Sequence, residues 1–87
     1  MIIKIGSFVQ STKGRDKYRI YIVKRILYKK LELIDGNGKM LSKPKIKNIK
    51  HIRVFENEAE KIAEKLKQKK KVFDEEVYSA IQKFKNQ

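Results

Sequence analysis

The chain has 87 residues, which is enough for one small domain or for a small barrel with an appendage. It has no cysteine, which excludes disulfides and thiolate metal sites, and its 23 Lys and Arg against 10 Asp and Glu give a net charge of +13. Such a charge attracts polyanions, nucleic acid foremost. With no long apolar stretch, we expect a cytoplasmic protein with neither signal peptide nor membrane span.

The positive charge is concentrated in the first part of the chain. Residues 1–55 contain 15 basic and 3 acidic residues, a net of +12, whereas residues 56–87 contain 8 and 7, a net of +1. We therefore expect residues 1–55 to meet a polyanionic partner and residues 56–87 to pack against them, as one compact unit.

The first part of the sequence predicts β-strands. β-Branched and aromatic residues, separated by turn-forming residues, indicate strands at Phe8–Val9, Tyr18–Tyr28, Leu31–Ile34 and Ile49–Val54, and Lys39–Leu41 as a hairpin arm after the turn Asp35–Gly38. Ile20 and Ile22 alternate with Tyr21 and Val23, which predicts a strand covered on both sides or bent around a barrel corner. Several short strands with tight turns favour a small barrel, with a short open sheet as the alternative.

Two helices are predicted after Phe55. Asn57 and Glu60 have capping-box spacing, and apolar residues then recur at helical intervals from Ala59 to Leu66, with an end expected near Lys69–Lys71. A second helix is expected to begin at Asp74 and to turn Val77, Ile81 and Phe84 towards the sheet. The fold class is therefore mainly β with a helical tail.

The first basic stretch lies in the loop that precedes the long strand. Lys13, Arg15, Lys17 and Arg19 alternate along it, and Gly14 would let backbone N–H groups approach a phosphate together with these cations. An ordinary solvated loop is the alternative.

The second basic stretch follows the predicted hairpin. Lys43, Lys45 and Lys47 recur at every second residue, which places three ammonium groups on one side of an extended segment. Nearby polar or cationic side chains that could also contact RNA are Asn48, Lys50 and His51. An edge strand protected by lysines against aggregation is the alternative.

The remaining candidates for function are aromatic and titratable residues. Tyr18, Tyr21 and Tyr28 are candidates for stacking on unpaired bases, although such tyrosines also build barrel cores. His51 is the single histidine and sits among cations, and no side chains have metal-ligand spacing. We therefore expect no enzyme activity, no metal and no cofactor.

Several of these segments resemble a known family. Gly6–Lys17 resembles the start of a KOW motif, and Leu33–Gly36 and Lys43–His51 look like a bacterial group of KOW-domain RNA-binding proteins, similar to the fourteen-e type of large-subunit ribosomal proteins. The resemblance implies an SH3-like β-barrel in residues 1–55 that binds RNA, with function at Lys13, Arg15, Lys17, Lys43, Lys45, Lys47, Asn48, Lys50 and His51. It departs at Tyr18, where the motif usually has glycine.

Two functions remain open on the sequence. The leading hypothesis is a monomeric RNA-binding protein that docks on structured RNA, ribosomal RNA foremost, without a membrane partner. The alternative is an SH3-like adaptor in transcription or translation, with the helices of residues 56–87 as the docking surface for a protein partner.

Overall fold

The computed structural model describes residues 2–87 and contains a five-stranded sheet followed by two helices. The strands are β1 (Ser7–Ser11), β2 (Ile20–Leu27), β3 (Lys30–Ile34), β4 (Lys45–Asn48) and β5 (Ile52–Glu58). A 3-10 turn (Ile49–His51) joins β4 to β5, and the helices are α1 (Glu60–Lys67) and α2 (Asp74–Lys85). No helix within residues 2–87 is both long and apolar enough to cross a bilayer.

The sheet is antiparallel in the order β4-β3-β2-β1-β5, and it is strongly rolled. In a flat sheet of five strands, four spacings of about 4.8 Å would put the two edges about 19 Å apart. Yet a single 3-10 turn connects these edges, and such a turn advances the chain by only about 2 Å per residue. The sheet must therefore curl until the end of β4 approaches the start of β5.

The alternation in β2 follows from the two cores that cover the sheet. Ile20 and Ile22 belong to a helix-side core, in which Phe8 of β1 stacks on Phe84 of α2 with ring centroids 4.2 Å apart. Tyr21 and Val23 belong to an inner core on the opposite face. The inner core is built from residues of β1, β2 and β3, and the partly buried side chains that pack against it are Ile3, Ile49, Ile52 and Val54. The prediction that this strand is covered on both sides is confirmed.

The predicted hairpin arm at Lys39–Leu41 is wrong. One carboxylate oxygen of Asp35 accepts the backbone N–H groups of Asn37, Gly38 and Lys39 at 3.0, 3.1 and 2.8 Å, which folds this segment into a tight loop. Met40 forms only an isolated bridge, and the strand that pairs with β3 is β4, which begins after Pro44 at an edge of the sheet.

The last strand and the first helix also differ from their predictions. Residues 49–51 form the 3-10 turn, and β5 continues to Glu58, past the division expected after residue 55. Asn57 therefore lies in a strand, and Ala59 precedes α1 without any side-chain cap, so the predicted capping box is wrong. α1 ends at Lys67, and Lys69 takes a left-handed φ of 57° just beyond it.

The start of α2 at Asp74 is confirmed. A carboxylate oxygen of Glu76 accepts the backbone N–H of Phe73 at 2.9 Å, which satisfies one of the free donors at the helix start. The other oxygen of Glu76 accepts from Lys65 of α1 at 2.6 Å, and these two hydrogen bonds lower the pKa of the carboxyl. One side chain therefore both caps α2 and ties it to α1.

Candidate nucleic-acid interface

The loop of residues 12–19 between β1 and β2 has a defined shape. The Tyr18 N–H donates to the Ser11 carbonyl at 2.8 Å, the Ser11 N–H donates to the Arg19 carbonyl at 3.0 Å, and a turn inside the loop is closed between Lys17 and Gly14 at 3.2 Å. Gly14 and Tyr18 both have positive φ, at 96° and 78°. Tyr18 thus adopts a backbone conformation that favours glycine.

Asp16 is the centre of this loop. Its carboxylate accepts hydrogen bonds from the Ser11 hydroxyl at 2.9 Å, the Tyr21 hydroxyl at 2.7 Å and the Lys47 ammonium at 2.6 Å. A second ammonium group, that of Lys45, lies 3.7 Å away. The basic loop is therefore organised around an anion.

The titration of Asp16 and Tyr21 reflects this network. Burial by itself would raise the pKa of Asp16, but the hydrogen bonds from Lys47, Tyr21 and Ser11 and the charge of Lys45 outweigh it and hold the pKa well below its usual range. Burial and the hydrogen bond to the Asp16 carboxylate raise the pKa of Tyr21 above its usual value. Asp16 is therefore ionised, and Tyr21 is a neutral donor, at neutral pH.

Lys47 joins the two basic stretches that the sequence separates. It lies opposite Leu31 of the inner core, so its side chain points to the enclosed side of β4 and is only 10% exposed. Besides Asp16, its ammonium group reaches the carbonyl oxygen of Lys13 at 2.7 Å. Lys45 and Lys47 do share a face of β4, and Asp16 supplies a counter-charge for that face from within the protein, whereas Lys43 lies in the turn before the strand, so the predicted row of three is wrong at Lys43.

The other predicted residues divide by exposure and by role. Lys13, Arg15, Lys17, Arg19, Lys43 and Lys50 are exposed, whereas Lys45, Asn48 and His51 are half-buried. The Asn48 side chain accepts the Lys50 backbone N–H at 2.9 Å and caps the 3-10 turn. The His51 carbonyl accepts the Thr12 N–H at 2.9 Å, which fastens the second stretch to the start of the first.

A surface depression, the basic groove, brings part of the predicted set together. It is lined by Arg15, Lys17, Tyr18, Arg19 and Lys45, with Asp16 at its base. The predicted cations Lys13, Lys43 and Lys50 do not line it. Because the base of the groove is occupied by internally paired groups, the side chains free to meet a ligand are the cations and the aromatic ring at its rim.

The three tyrosines proposed for stacking have different environments. Tyr21 is fully buried in the inner core, so the prediction that it stacks on bases is wrong. Tyr18 and Tyr28 are 68% and 88% exposed, and the ammonium groups of Lys17 and Lys29 lie 5.1 and 5.3 Å from their ring centroids. Each exposed ring is thus paired with a cation, as in surfaces that hold single-stranded nucleic acid.

Sequence reasoning missed the structural roles of two residues of the site. Ser11 and Tyr21 position Asp16 from neighbouring strands, and neither belongs to a basic stretch. The alternation of β2 could have placed Tyr21 on a covered face, but its partner depends on how the preceding loop folds back. Neither a protein-family model nor a curated protein matches this chain in sequence.

Proposed function

We propose that this protein is an RNA-binding module of the KOW type that docks on structured RNA, ribosomal RNA foremost. The observation that carries the proposal is the basic groove, in which three exposed cations, a half-buried lysine and an exposed tyrosine converge on a loop held in place from below. The motif resemblance of Gly6–Lys17 points to the same loop. The rolled sheet, in which one short turn spans both edges, supports an SH3-like barrel.

The groove suits a phosphate backbone for an electrostatic reason. Within residues 2–87, no carboxylate lies within ion-pair distance of Arg15 or Lys17, and Arg19 lies 3.7 Å from Asp35 with about half of its side chain exposed. These cations can therefore replace condensed counterions on RNA without first breaking strong internal pairs. Lys47 differs from these cations, because its ammonium group is already hydrogen-bonded to the Asp16 carboxylate and to the Lys13 carbonyl oxygen.

The fixed shape of the loop has a consequence for recognition. Backbone turns and the Asp16 network fix the backbone of the loop that carries the cations before RNA arrives, so little backbone entropy is lost on binding. Phosphate contacts of this kind fix the register of the RNA and depend on its shape, but they distinguish little between bases. We infer that structured RNA is recognised mainly by the path of its backbone, with Tyr18 available to one unpaired base.

The test is the salt dependence of RNA binding in two matched double variants. Arg15→Gln/Lys17→Gln removes two groove cations, and Lys61→Gln/Lys67→Gln removes two exposed cations of α1, so the net charge is the same in both. For a ribosomal RNA hairpin, we expect the groove variant to bind about tenfold or more weakly and to lose about 1–2 from the log–log salt slope, while the α1 variant stays close to wild type. Equal losses in the two variants would contradict the groove.

A sedimentation measurement extends the test to the cell. The tagged protein should co-migrate with a ribosomal subunit in lysate at low salt and should be released by high salt or by nuclease. Co-migration with a protein complex that resists both treatments would instead favour the SH3-like adaptor, with α1 and α2 as its docking surface.

A further inference from the structure

A second depression adjoins the basic groove, and Arg19 borders both. We call it the amide cleft, and its polar rim consists of Arg19, Asn37, Tyr78, Gln82 and Lys85. It lies between the loop that follows β3 and the outer side of α2. The cleft therefore combines residues of the strongly basic part of the chain with residues of the nearly neutral helical part.

The two walls of the cleft are fixed to each other. A Cβ atom at Gly36 would overlap the carbonyl oxygen of Asp74 and lie 2.7 Å from the backbone nitrogen of Tyr78, so loop and helix are in direct backbone contact. The Asp74 carboxylate also accepts the backbone N–H of Leu41 at 2.7 Å. These contacts hold the loop against the first turns of α2, and the cleft is preformed.

The helix wall presents three different groups on one side. Tyr78, Gln82 and Lys85 follow one another at intervals of four and three residues, which places them in a row along α2. Tyr78 is 43% exposed, and the floor beside it is formed by the buried residues Ile20 and Ile81. The buried isoleucines present almost no surface to the cleft, which therefore has an almost wholly polar lining with the partly exposed Tyr78 beside it.

The chemistry of this rim matches a nucleotide better than a simple anion. The side-chain amides of Asn37 and Gln82 each offer a donor and an acceptor, as the edge of a base requires, and Tyr78 offers a surface for stacking. Arg19 and Lys85 provide charge for flanking phosphates. The charge of Asp35 does not prevent phosphates from binding here. One oxygen of its carboxylate accepts three backbone N–H groups, and the other faces Arg19.

We propose that the amide cleft receives one unpaired nucleotide of the RNA whose backbone lies in the basic groove. This inference rests on the proposed function, since the groove must bind RNA for the cleft to be filled. The volume of the cleft, about 210 Å³, suits a single base. α2 then contributes directly to RNA recognition, in addition to packing on the sheet.

The experiment compares two RNA hairpins that are identical except for one bulged adenosine. Wild-type protein is expected to bind the bulged hairpin about tenfold more tightly, from hydrogen bonds and stacking to a single base. Asn37→Ala/Gln82→Ala should lose this preference while it binds the paired hairpin with wild-type affinity and salt slope. The matched control, Asn57→Ala/Gln68→Ala, removes two exposed amides elsewhere and should retain the preference.

Each outcome separates the two proposals. Salt-dependent binding of both hairpins with equal affinity by wild type would overturn the cleft and leave the groove intact. A bulge preference that survives in Asn37→Ala/Gln82→Ala, with circular dichroism showing a folded variant, would also overturn it. Failure to bind the paired hairpin at all would instead remove the proposed function on which the cleft depends.

Discussion

At the scale of single residues, Asp16 shows what an acidic side chain contributes inside the most basic loop of the protein. Its carboxylate receives two hydroxyl groups and one ammonium group, and its side chain is only 10% exposed. An ammonium group as enclosed as that of Lys47 would be costly without this partner. The pair therefore stabilises the loop mainly because neither charge is left alone.

Substitution of Asp16 tests this arrangement. Asp16→Asn keeps the shape of the side chain but leaves Lys47 enclosed without a counter-charge, so we expect the free energy of unfolding at pH 7 to fall by about 2–4 kcal/mol. Asp16→Asn/Lys47→Met, which also removes the enclosed cation, should recover part of the loss. Urea denaturation measures both, and an unchanged stability in Asp16→Asn would contradict the role assigned to the pair.

The same variant should have a distinctive acid response. The folded-state pKa of Asp16 lies below its unfolded value of about 3.9, so its contribution is complete above that pH and declines as the pH falls further. In wild type the loss starts near pH 4 and continues as the pH falls towards the lowered folded-state pKa. Asp16→Asn lacks this component, and its stability should decline less steeply below pH 4 than that of wild type.

The sequence revealed the residue types of this site more readily than their partners. The alternating cations of the loop and their exposure could be predicted, because Gly14 and the surrounding polar residues mark a turn. That Lys47 points inward could not, because its side depends on the register of β4 against β3 and on the curl of the sheet. Local periodicity specifies which residues share a face but not which face is enclosed.

At the scale of elements, glycine sets how closely the helices approach the sheet. Gly6 has a φ of +91°, its N–H donates to the Val23 carbonyl at 2.8 Å, and its own carbonyl accepts from Ala59 at 2.8 Å. A Cβ atom on Gly6 would overlap the Cβ of Ala63 in α1. One position thus links the segment before β1, the middle of β2 and the start of α1.

The cost of a single methyl group at this junction can be measured. Gly6→Ala should lower the free energy of unfolding by about 2–4 kcal/mol, because it combines a left-handed φ with an overlap that only movement of α1 can relieve. Gly38→Ala is the control, since its added Cβ would lie 3.8 Å from the nearest atom, the Arg19 guanidinium. Similar losses in the two variants by urea denaturation would contradict this account.

The elements themselves were predicted unequally, for physical reasons. The apolar stripe of α2 and its start at Asp74 were recognised because helix periodicity and acidic first-turn residues agree. The arm Lys39–Leu41 was mistaken for a strand because a turn dipeptide near apolar residues favours a hairpin, whereas here Leu41 is hydrogen-bonded to Asp74, 33 residues later. Such tertiary bonds override local preference.

At the scale of the whole molecule, the sheet separates two hydrophobic cores, one on each of its faces. The inner core lies within the roll of the sheet, and the helix-side core joins β1, β2 and β3 to both helices. The strands that carry the basic groove therefore depend on α1 and α2 for the cover of one face. A chain of this size has little surplus stability with which to keep its strands folded if that cover is lost.

Because the sheet depends on this cover, a cavity under α1 should destabilise the sheet as well as the helices. Ile62 is 4% exposed in the helix-side core, and Ile62→Ala is expected to cost about 2–5 kcal/mol, whereas Ile46→Ala, at a residue 49% exposed on β4, should cost less than about 1 kcal/mol. Amide hydrogen exchange should report equal losses of protection in β2 and α2 of Ile62→Ala, because both open only by global unfolding. Wild-type protection in β2 beside weakened protection in α1 and α2 would mean that the sheet is stable without its helices. The groove could then bind RNA as an independent unit, and the amide cleft would be lost whenever the helices detach.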